Sequence, residues 1–477
     1  MKENLAFEIC KILQQNGVAY ITGGYTRNLI MENEGWQSHP SDDIDIATSV
    51  KPNAICFLLH DNGIQAIYDS GKSFGVVRAK KDGDEVEVAT FRADGIYKDG
   101  RHPENVRFVD SLEEDARRRD FTCNAIYYDP ISKHFSDPVG GIGDIREGRL
   151  KCVGQPIERF EEDYLRMMRY CRFRAKLGFK FDKELKRIIR RSAHKIHNIS
   201  MERIKMEFDK AIQGPRFWQF INDLNRVGIL FHILPEVAVL QYITPGHQEY
   251  HREGSVYRHT LEALRRLDSN KVYEAEYFQE MAERMFDHWE TILWSTLLHD
   301  IGKRTAKKVK KGKASFKEHE FHSRDIAENI LDRFKFSTQE KNKILWIIEN
   351  HIRVKSLLEM KKGKRREMLW QPNIVPLLFV RLADDLGNFG TRDAISFFDG
   401  AVDHYLNEPQ GEAKIIVTNE LKEFTDGEMI MKEMGLKAGK AVGDIKEIIH
   451  KGYLEGDIKT IGDVKKLLAR LKEVTVS

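Results

Sequence analysis

Residues 41–49 have the sequence SDDIDIATS, in which acidic side chains alternate with apolar ones. Successive side chains of a β-strand point to opposite faces, so Asp43 and Asp45 share one face while Ile44 and Ile46 share the other. Two neighbouring carboxylates repel each other unless a cation lies between them. Mg²⁺ suits such hard oxygen ligands and usually combines one or two carboxylates with substrate phosphates. The segment therefore predicts a strand with a magnesium site on one face; an acidic turn at a strand end is the alternative.

A glycine-rich turn precedes this acidic segment in the chain. Residues 18–21 are a short apolar run that predicts a strand, and residues 21–27 read ITGGYTR. Paired glycines let the backbone approach a phosphate closely, and Arg27 adds a forked cation that suits phosphate oxygens. A phosphate-binding turn close to metal-binding carboxylates indicates nucleotidyl or phosphoryl transfer.

Two further motifs follow in the first half of the chain. Residues 117–125 read RRRDFTCNA, and residues 162–173 read EDYLRMMRYCRF. Together with the Gly-Gly-x-x-Arg and Asp-x-Asp motifs, they resemble the ordered motifs of the class II tRNA nucleotidyltransferases. That family includes CCA-adding enzymes, their CC- and A-adding relatives and bacterial poly(A) polymerases. The resemblance covers about residues 15–240 strongly and continues more loosely to about residue 470.

The resemblance implies a role for each matching residue. Asp43 and Asp45 are the expected catalytic residues, and they would hold two Mg²⁺ ions that activate a 3′-hydroxyl group and stabilise the leaving pyrophosphate. The residues expected to bind the triphosphate and sugar are Gly24, Arg27, Arg119, Arg169 and Arg172, with Asp120 and Asn124 in support. Asp163 and Arg166 are expected to read the Watson–Crick edge of the base. Both CTP and ATP carry an exocyclic amine at that edge, and a carboxylate can accept a hydrogen bond from it.

The arginines of the last motif also have a simpler interpretation. Arg166, Arg169 and Arg172 are three residues apart, so they lie along one surface of a predicted helix, with Asp163 one turn before Arg166. From the residues alone, this surface is a solvated charged face with an Asp–Arg ion pair as readily as a nucleotide site.

Two other residues leave questions open. The family usually has an aspartate after the motif arginine, whereas this chain has Asn28, which leaves open how Arg27 is held. Glu87 is predicted to share a sheet face with Glu85. It either orients the primer hydroxyl group or a metal-bound water, or it is a charge on an edge strand.

A second group of chemically active residues lies in the middle of the chain. It consists of His259, the adjacent pair His299 and Asp300, and Asp384. Their order and spacing resemble the HD phosphohydrolase superfamily, which implies that these four residues hold a second divalent metal. His319 and His351 are candidates for further ligands. In some nucleotidyltransferases such a module hydrolyses 2′,3′-cyclic phosphates, and in others it is only a scaffold.

Composition limits the classes of partner. The chain has 477 residues, too many for one ordinary core, and a net charge of only +3. A nucleic-acid partner therefore requires a local basic surface. Two lysine-rich segments, residues 307–313 and 361–366, are either such surfaces or solvated loops. Five cysteines without CxxC spacing indicate reduced cytoplasmic thiols. The N-terminal residues lack an apolar signal core, and no apolar run is long enough to span a membrane.

The segment between the metal motif and the Arg-Arg-Asp motif bears on the product. Family members that stop after CC are thought to lack a flexible loop there, whereas residues 91–103 of this chain are full length and include Gly95 and Gly100. One base-reading pair must serve both CTP and ATP, so a mobile loop is the simplest way to re-aim it. The full-length segment favours addition of A as well as C.

The sequence therefore predicts an α/β nucleotidyltransferase head, with a small mixed sheet and helices, followed by all-α body, HD and tail domains. The predicted domains are a catalytic head (1–150), a helical body that recognises nucleotide and RNA (151–245), an HD-type domain (246–405) and a helical tail that binds tRNA (406–477).

The predicted activity is template-independent addition of CCA from CTP and ATP to the 3′ end of tRNA, with contacts to the acceptor stem. Within the class, the alternatives are an A-adding tRNA nucleotidyltransferase and a poly(A) polymerase. From different classes, they are an HD-type metal phosphohydrolase with an RNA-binding N-terminal half and a non-catalytic RNA-binding protein, which would be expected to have lost a metal-binding carboxylate.

Overall fold

The structure is a computed structural model, which describes residues 2–36, 44–68, 75–95, 106–244, 254–268, 278–310, 313–388, 391–408 and 421–476. The chain divides into two compact units, residues 1–235 and residues 236–477. Each unit buries its own set of apolar side chains.

The first unit is built around a mixed β-sheet. Its strands are β1 (Ala19–Thr22), β2 (Asp45–Thr48), β3 (Gln65–Ile67), β4 (Val76–Lys81), β5 (Asp84–Thr90), β6 (Arg92–Asp94), β7 (Val106–Phe108), β8 (Tyr127–Asp129) and β9 (His134–Ser136). Seven of them form one sheet in the order β3-β4-β5-β2-β1-β8-β9, and β6 and β7 form a separate pair. Strands β2 and β5 are parallel, whereas β1 runs antiparallel to both β2 and β8.

Helices flank the sheet and then form the rest of the first unit. They are α1 (Lys2–Leu13), α2 (Gly24–Asn33), α3 (Pro52–Asp61), α4 (Leu112–Arg117), α5 (Gly141–Arg146), α6 (Pro156–Glu162), α7 (Leu165–Leu177), α8 (Lys183–Ser192), α9 (Met201–Ile212), α10 (Phe217–Arg226), α11 (Ile229–Ile233) and, across the boundary, α12 (Pro235–Ala238). Short 3₁₀ segments lie at Thr122–Asn124 and Ala193–Asn198.

Alternation along the strands decides which face of the sheet carries the acidic residues. Ile46 of β2 and Val88 of β5 are buried in a cluster with Ile9 of α1 and Ile55 of α3. Because neighbouring side chains of a strand point to opposite faces, the residues that precede Ile46 and Val88 lie on the other face. The apolar packing of α1 and α3 therefore leaves the opposite face of the sheet to the acidic side chains.

In its described ranges, the second unit is helical apart from one hairpin. Its helices are α13 (Val256–Leu267), α14 (Phe278–Asp287), α15 (Trp289–Leu298), α16 (Lys303–Ala306), α17 (His319–Arg333), α18 (Thr338–Asn350), α19 (Lys362–Leu369), α20 (Ile374–Gly387), α21 (Thr391–Leu406), α22 (Gly427–Met434), α23 (Lys440–Glu455) and α24 (Ile461–Val476). The hairpin strands are β10 (Lys308–Lys310) and β11 (Lys313–Ser315), and 3₁₀ segments lie at Val239–Tyr242 and Arg353–Glu359.

Two buried regions organise this unit. Helices α15 and α20 are apolar on nearly all sides and buried along most of their length, as expected for the centre of a helical domain. Helices α22 to α24 bury a separate cluster that includes Ile430, Ile449 and Val464. The tail therefore has its own small core.

The sequence carries several local expectations. Apolar runs at residues 75–77 and 86–91 predict strands, the period becomes helical from about Glu158, and residues 94–106 and 242–254 predict a loop and a turn. The strands predicted around Val76 and in residues 86–91 are present as β4 and β5. The helical region predicted from about Glu158 begins at Pro156, but it is not helical throughout, because β10 and β11 interrupt it. The predicted loop at 94–106 is enclosed by β6 and β7, and its residues 96–105 lie outside the described residues. The predicted turn at 242–254 also falls mostly outside them.

All five cysteines are free thiols, and four of them are buried. In the described part of the chain, none of the helices has both the length and the apolar character that crossing a membrane requires.

Candidate active site and metal centre

Three adjacent strands bring polar residues into one row across the sheet. Thr22 of β1 is in register with Asp45 of β2, and Asp45 is in register with Glu87 of β5. The two carboxylates therefore lie side by side on one face, where Asp45 is partly exposed and Glu87 is exposed. Strand β5 lies between β4 and β2, so the interpretation of Glu87 as an edge-strand charge is wrong. Asp43, the other predicted metal ligand, lies outside the described residues.

The glycine turn lies directly against the Asp45 carboxylate. Gly23 links β1 to α2 with φ of 73°, a conformation that favours glycine. A Cβ atom added at Gly23 would lie 3.1 Å from Oδ2 of Asp45. Helix α2 begins at Gly24, so its free N–H groups and its positive end start beside this turn. The turn and the strand thus form a site that suits a phosphate and a cation together.

Arg27 is buried and is held by two asparagines. Its Nη1 donates to Oδ1 of Asn124 at 2.7 Å, and its Nε and Nη2 donate to Oδ1 of Asn28 at 3.2 and 2.9 Å. Asn28 thus serves as the acceptor that the family's aspartate would supply. Because Arg27 is only 2% exposed, its guanidinium group is placed to hold neighbouring side chains.

A buried aspartate that the sequence reasoning missed holds Arg119. Asp115 Oδ2 accepts from the Tyr127 hydroxyl at 2.7 Å and from Arg119 Nη2 at 3.2 Å, and Oδ1 accepts from Arg118 Nε at 2.8 Å. Burial alone raises the pKa of Asp115, but Arg119 and Arg118 outweigh burial and lower this pKa to about 2. The available signal was the four-residue spacing between Asp115, on α4, and Arg119, just after the end of this helix.

Asp120 and Asn124 connect this region to helix α7. Oδ2 of Asp120 accepts from Nη2 of Arg169 at 2.6 Å, and Oδ1 accepts from Nδ2 of Asn124 at 3.2 Å. Burial alone raises the pKa of Asp120, but the charge of Arg169 outweighs burial and helps lower this pKa to about 2. The residues expected to support the nucleotide site therefore form one chain of hydrogen bonds from Arg27 to Arg169.

Helix α9 contributes two partners that the sequence reasoning also missed. Oε2 of Glu207 accepts from Nε of Arg172 at 2.6 Å, and Nη2 of Arg203 donates to Oδ2 of Asp163 at 2.6 Å. Arg203 and Glu207 are four residues apart, so they share one face of α9. This face holds Asp163, which lies just before α7, and Arg172, which lies in the middle of α7.

The expected base-reading residues do not pair with each other among the described side chains. Helix α7 begins at Leu165, so Asp163 lies in the break between α6 and α7 rather than inside a continuous helix. Asp163 bonds to Arg203, whereas Nη1 of Arg166 bonds to the carboxylate of Glu162 and to the carbonyl oxygen of residue 159. The predicted helix therefore breaks at Asp163, where this side chain can turn away from the helical surface.

The second unit assembles the predicted HD residues in one buried cluster. Nε2 of His259 lies 2.9 Å from Oδ1 of Asp384, and Nε2 of His299 lies 3.3 Å from Oδ2 of Asp300. On the other side of Asp300, Oδ1 lies 3.1 Å from Nε2 of His319. Two groups of possible ligands therefore share Asp300. They are His259, His299 and Asp300, and Asp300, His319 and His351.

Backbone carbonyl groups orient three of these imidazoles. Nδ1 of His299, His319 and His351 donates to the carbonyl oxygen three residues earlier, at 2.8, 2.9 and 2.6 Å. Each ring is therefore held with Nε2 directed toward the cluster, as metal-ligating histidines usually are. Buried imidazoles and carboxylates fit a divalent transition metal, so the donor set agrees with the expected metal.

Family models match three parts of the chain. The poly A polymerase head domain matches residues 19–151, the probable RNA and SrmB-binding site of polymerase A matches residues 178–240, and the HD domain matches residues 274–388. These matches agree with the resemblances found in the sequence.

Curated relatives are about 40% identical to this chain over the residues that align. The CCA-adding enzyme of Anoxybacillus flavithermus is 38% identical over 234 residues, which are 49% of this chain and 56% of that protein. The CCA-adding enzyme of Geobacillus kaustophilus is 41% identical over 235 residues, which are 49% of this chain and 55% of that protein. The chain thus spans about half the length of the curated relatives it matches.

Solved structures match nearly the whole chain. The Bacillus stearothermophilus CCA-adding enzyme in complex with CTP has a TM-score of 0.68 at 22% identity, covering 98% of this chain and 97% of its own. The Thermotoga maritima CCA-adding enzyme complexed with tRNA has a TM-score of 0.55 at 18% identity, covering 98% and 94%. These likenesses show the fold, and the predicted fold class is confirmed: a nucleotidyltransferase head with a mixed sheet, then a helical body and an HD domain.

Proposed function

We propose that the first unit is a nucleotidyltransferase and that the chain adds C, C and A to the 3′ end of tRNA from CTP and ATP. The observation that carries this proposal is the Asp45 carboxylate lying against the Gly23 turn, with Glu87 in register beside it. Relatives named CCA-adding enzymes support the same activity. The five free cysteines fit a cytoplasmic setting.

Asp43 and Asp45 are assigned to Mg²⁺. An exposed carboxylate beside a glycine turn leaves room for substrate phosphates to complete the ligand shell, as Mg²⁺ requires. When bound, the metal supplies activation of the 3′-hydroxyl group and charge stabilisation of the leaving pyrophosphate. Glu87 lies on the same face and is assigned to orient the attacking hydroxyl group by accepting its hydrogen bond.

The triphosphate is assigned to the start of α2 at Gly24 and to the guanidinium groups of Arg119, Arg169 and Arg172. Each of these arginines has a carboxylate partner, Asp115, Asp120 or Glu207, that fixes its orientation before a nucleotide arrives. Fixed donors of this kind need no reorganisation when charge develops on the phosphates. Arg27 is buried between asparagines, so we assign it to hold Asn124 rather than to contact the triphosphate.

Asp163 and Arg166 are assigned to the base. Asp163 lies at the break between α6 and α7, where it can accept from an exocyclic amine, and Arg166 can donate to ring nitrogens and carbonyl oxygens. Their present partners, Arg203 and Glu162, hold both side chains in defined positions. Discrimination against UTP and GTP follows, because a carbonyl oxygen opposite Asp163 is another acceptor and would face the carboxylate with no hydrogen between them.

The HD cluster is assigned a second, separate activity. Histidines oriented by backbone carbonyl groups around Asp300 suit a bound divalent metal that polarises a phosphate ester for hydrolysis. The four-domain division, with a head to 150, a body to 245, an HD domain to 405 and a tRNA-binding tail, remains part of this proposal.

The proposed function is tested with tRNA that lacks its 3′ CCA and with tRNA that lacks only the terminal A, each incubated with one NTP at a time. Mass spectrometry of the products should show addition of two C residues to the first substrate and one A to the second. Addition of A alone would favour the A-adding alternative, and long A tails would favour a poly(A) polymerase. Absence of any incorporation would remove the proposal.

A further inference from the structure

A basic hairpin emerges from the rim of the HD cluster. It comprises residues 303–310 and 313–318, that is, α16, β10, β11 and the turn before α17. At its start, Nζ of Lys303 lies 2.6 Å from Oδ2 of Asp300. At its end, Nε2 of His319 lies 3.1 Å from Oδ1 of the same aspartate. Both ends of the basic hairpin are therefore tied to the shared carboxylate of the cluster.

A close backbone approach fixes the base of the hairpin. The N–H of Gly302 donates to Oγ of Ser323 at 2.9 Å. A Cβ atom added at Gly302 would lie 2.3 Å from the backbone nitrogen of Ser323 and 2.4 Å from the carbonyl oxygen of His319. Only glycine fits between α16 and the first turn of α17, so the start of α16 packs directly against the backbone of the candidate ligand His319.

Lys303 pairs with Asp300, whereas four further cations of the hairpin have no carboxylate partner among the described residues. Arg304, Lys307, Lys308 and Lys317 are all exposed. Within the described ranges, no acidic side chain pairs with any of the four. Helix rise and strand rise are about 1.5 and 3.3 Å per residue, so the stretch from Lys303 to Lys308 extends on the order of 10 Å. This stretch of cations is longer than one phosphate group, so it can contact more than one phosphate of a chain.

The other lysine-rich segment, residues 361–366, has a different environment. There Nε of Arg366 lies 2.7 Å from Oε2 of Glu408. A Cβ atom added at Gly363 would lie 3.3 Å from the Cβ of Leu454, which shows that α19 packs tightly on α23. Part of this segment therefore serves to hold the tail. The comparison separates two segments of similar composition by what their cations contact.

An exposed aromatic ring follows the basic hairpin in the sequence. Phe321 lies two residues after His319, in the first turn of α17, and is 50% exposed. Val309 at the hairpin itself is 65% exposed. Exposed cations together with an exposed ring are the combination that binds single-stranded nucleic acid, because bases stack on the ring while the cations follow the backbone.

We propose that the basic hairpin and Phe321 bind a single-stranded RNA segment and present one of its phosphates to the HD cluster. The inference rests on the proposed metal centre, and it names the substrate class of that centre as a polynucleotide rather than a free nucleotide. The phosphate at the cluster meets Lys303 and the ligands around Asp300, the next phosphates meet Lys307 and Lys308, and a base stacks on Phe321.

Photo-crosslinking of the full-length protein tests this placement. A 12-nucleotide single-stranded RNA containing 4-thiouridine is irradiated with the protein in the presence of Mn²⁺, and the crosslinked peptides are mapped. We expect a crosslink within residues 303–322 that is lost in the double variant Lys307→Glu, Lys308→Glu. Crosslinks confined to other regions, or an unchanged crosslink in the double variant, would overturn the proposal.

Binding measurements provide the matched control. By fluorescence anisotropy, the double variant should bind the RNA about tenfold more weakly, and the slope of log affinity against log salt should fall by roughly 1.4, for two lost phosphate contacts. Phe321→Leu should weaken binding about fivefold through lost stacking. Lys361→Glu with Lys364→Glu makes the same charge change in the other segment and should leave affinity within about twofold. Equal weakening by both pairs, or displacement of the RNA by polyglutamate of equal charge, would overturn the proposal in favour of a general anion surface.

The outcome for the metal centre is separate. Hydrolysis of bis(p-nitrophenyl) phosphate reports on the centre alone, and the double variant should retain it within about twofold. Absence of this hydrolysis in the wild-type protein together with an intact hairpin crosslink would remove the proposed phosphohydrolase activity and leave the RNA surface supported.

Discussion

Asp45 in the first unit and Asp300 in the second unit are both carboxylates in candidate metal sites, but their surroundings differ. Asp45 is partly exposed on an open sheet face, beside a glycine turn and the exposed Glu87. Asp300 is only 2% exposed and is surrounded by imidazoles that backbone carbonyl groups hold in place. Among the described residues, the first site offers Asp45 and Glu87, whereas the second offers two groups of three candidate ligands that share Asp300.

The two environments imply different requirements for binding a metal. An open carboxylate face leaves positions for phosphates and water, so we expect metal and nucleotide to bind there together. A buried set of oriented histidines can bind a metal without substrate, because the ligands lose little conformational entropy on binding. We therefore expect the first metal site to need its substrate for assembly and the second to be assembled by folding.

The largest expected effect is loss of nucleotide addition when the open face loses a carboxylate. Asp45→Asn should reduce incorporation into tRNA by about 10³-fold, since metal stabilisation of the transition state contributes several kcal/mol. Asp43→Ala should have the same effect. Rates are measured with radiolabelled CTP under Mg²⁺. Glu85→Gln, also on β5 but paired with Lys80, is the matched control and should stay within about twofold.

Metal retention distinguishes a preassembled site from a substrate-dependent one. After dialysis without nucleotide, the wild-type protein should retain transition metal at the HD cluster, and His299→Ala should lose most of it. Asp45→Asn should retain as much as the wild type. Metal content is measured by mass spectrometry, with the exposed His322→Ala as control. Equal retention in His299→Ala and wild type would contradict the assignment of the cluster.

The segment between β6 and β7 should affect one product more than the other. Deleting residues 94–100 should leave addition of C largely intact and reduce addition of A by about 100-fold, because re-aiming of the base-reading pair is lost. Mass spectrometry of tRNA products measures both steps in the same sample. Equal loss of both additions would mean that the segment is structural, and normal addition of A would mean that the switch lies elsewhere.

A smaller effect is expected when a positioning carboxylate is neutralised. Glu207→Gln keeps an acceptor for Arg172 but removes the buried counter-charge, so the KM for CTP and ATP should rise about tenfold with a smaller change in kcat. Glu202→Gln, on an exposed position of the same helix, is the control. A KM unchanged from wild type, with the protein fully folded by thermal melting, would contradict the role assigned to α9.

The smallest effect concerns acid stability of the first unit. The folded-state pKa of Asp120 is about 2 against an ordinary 3.8, so its stabilisation is complete above about pH 4 and is lost as the pH falls toward 2. This loss amounts to about 2 kcal/mol for a shift of this size. Urea unfolding at several pH values should therefore show a weaker acid dependence for Asp120→Asn than for wild type. Asp110→Asn, at an exposed site, should match the wild-type pH dependence.

The sequence patterns identified the motif residues but not most of the side chains that pair with them. The alternation in residues 41–49 and the glycine pair predicted the strand and the turn, since both depend on local backbone preferences. The pairing of Asp163 with Arg203 and of Arg172 with Glu207 joins residues 40 and 35 positions apart. Such pairs depend on how α7 packs on α9, which no local pattern specifies.

Two other features depended on tertiary context. Arg27 looked like a phosphate ligand because arginine commonly is one, whereas its burial between asparagines arises from packing of α2 against the 3₁₀ segment at Thr122–Asn124. The hairpin at Lys308–Ser315 was not predicted, because lysine-rich sequence has weak strand preference. Its strands form where the chain must connect two ligand-bearing helices.

The central claim is that two independent sites with different metal use lie in one chain, and one measurement tests it most directly. Wild type, Asp45→Asn and His299→Ala are assayed in parallel for CTP and ATP incorporation into tRNA lacking CCA and for hydrolysis of bis(p-nitrophenyl) phosphate with Mn²⁺, Ni²⁺ or Co²⁺. The account predicts that Asp45→Asn loses incorporation and keeps hydrolysis, whereas His299→Ala loses hydrolysis and keeps incorporation. Near-normal incorporation by Asp45→Asn, or loss of both activities in either folded variant, would contradict it.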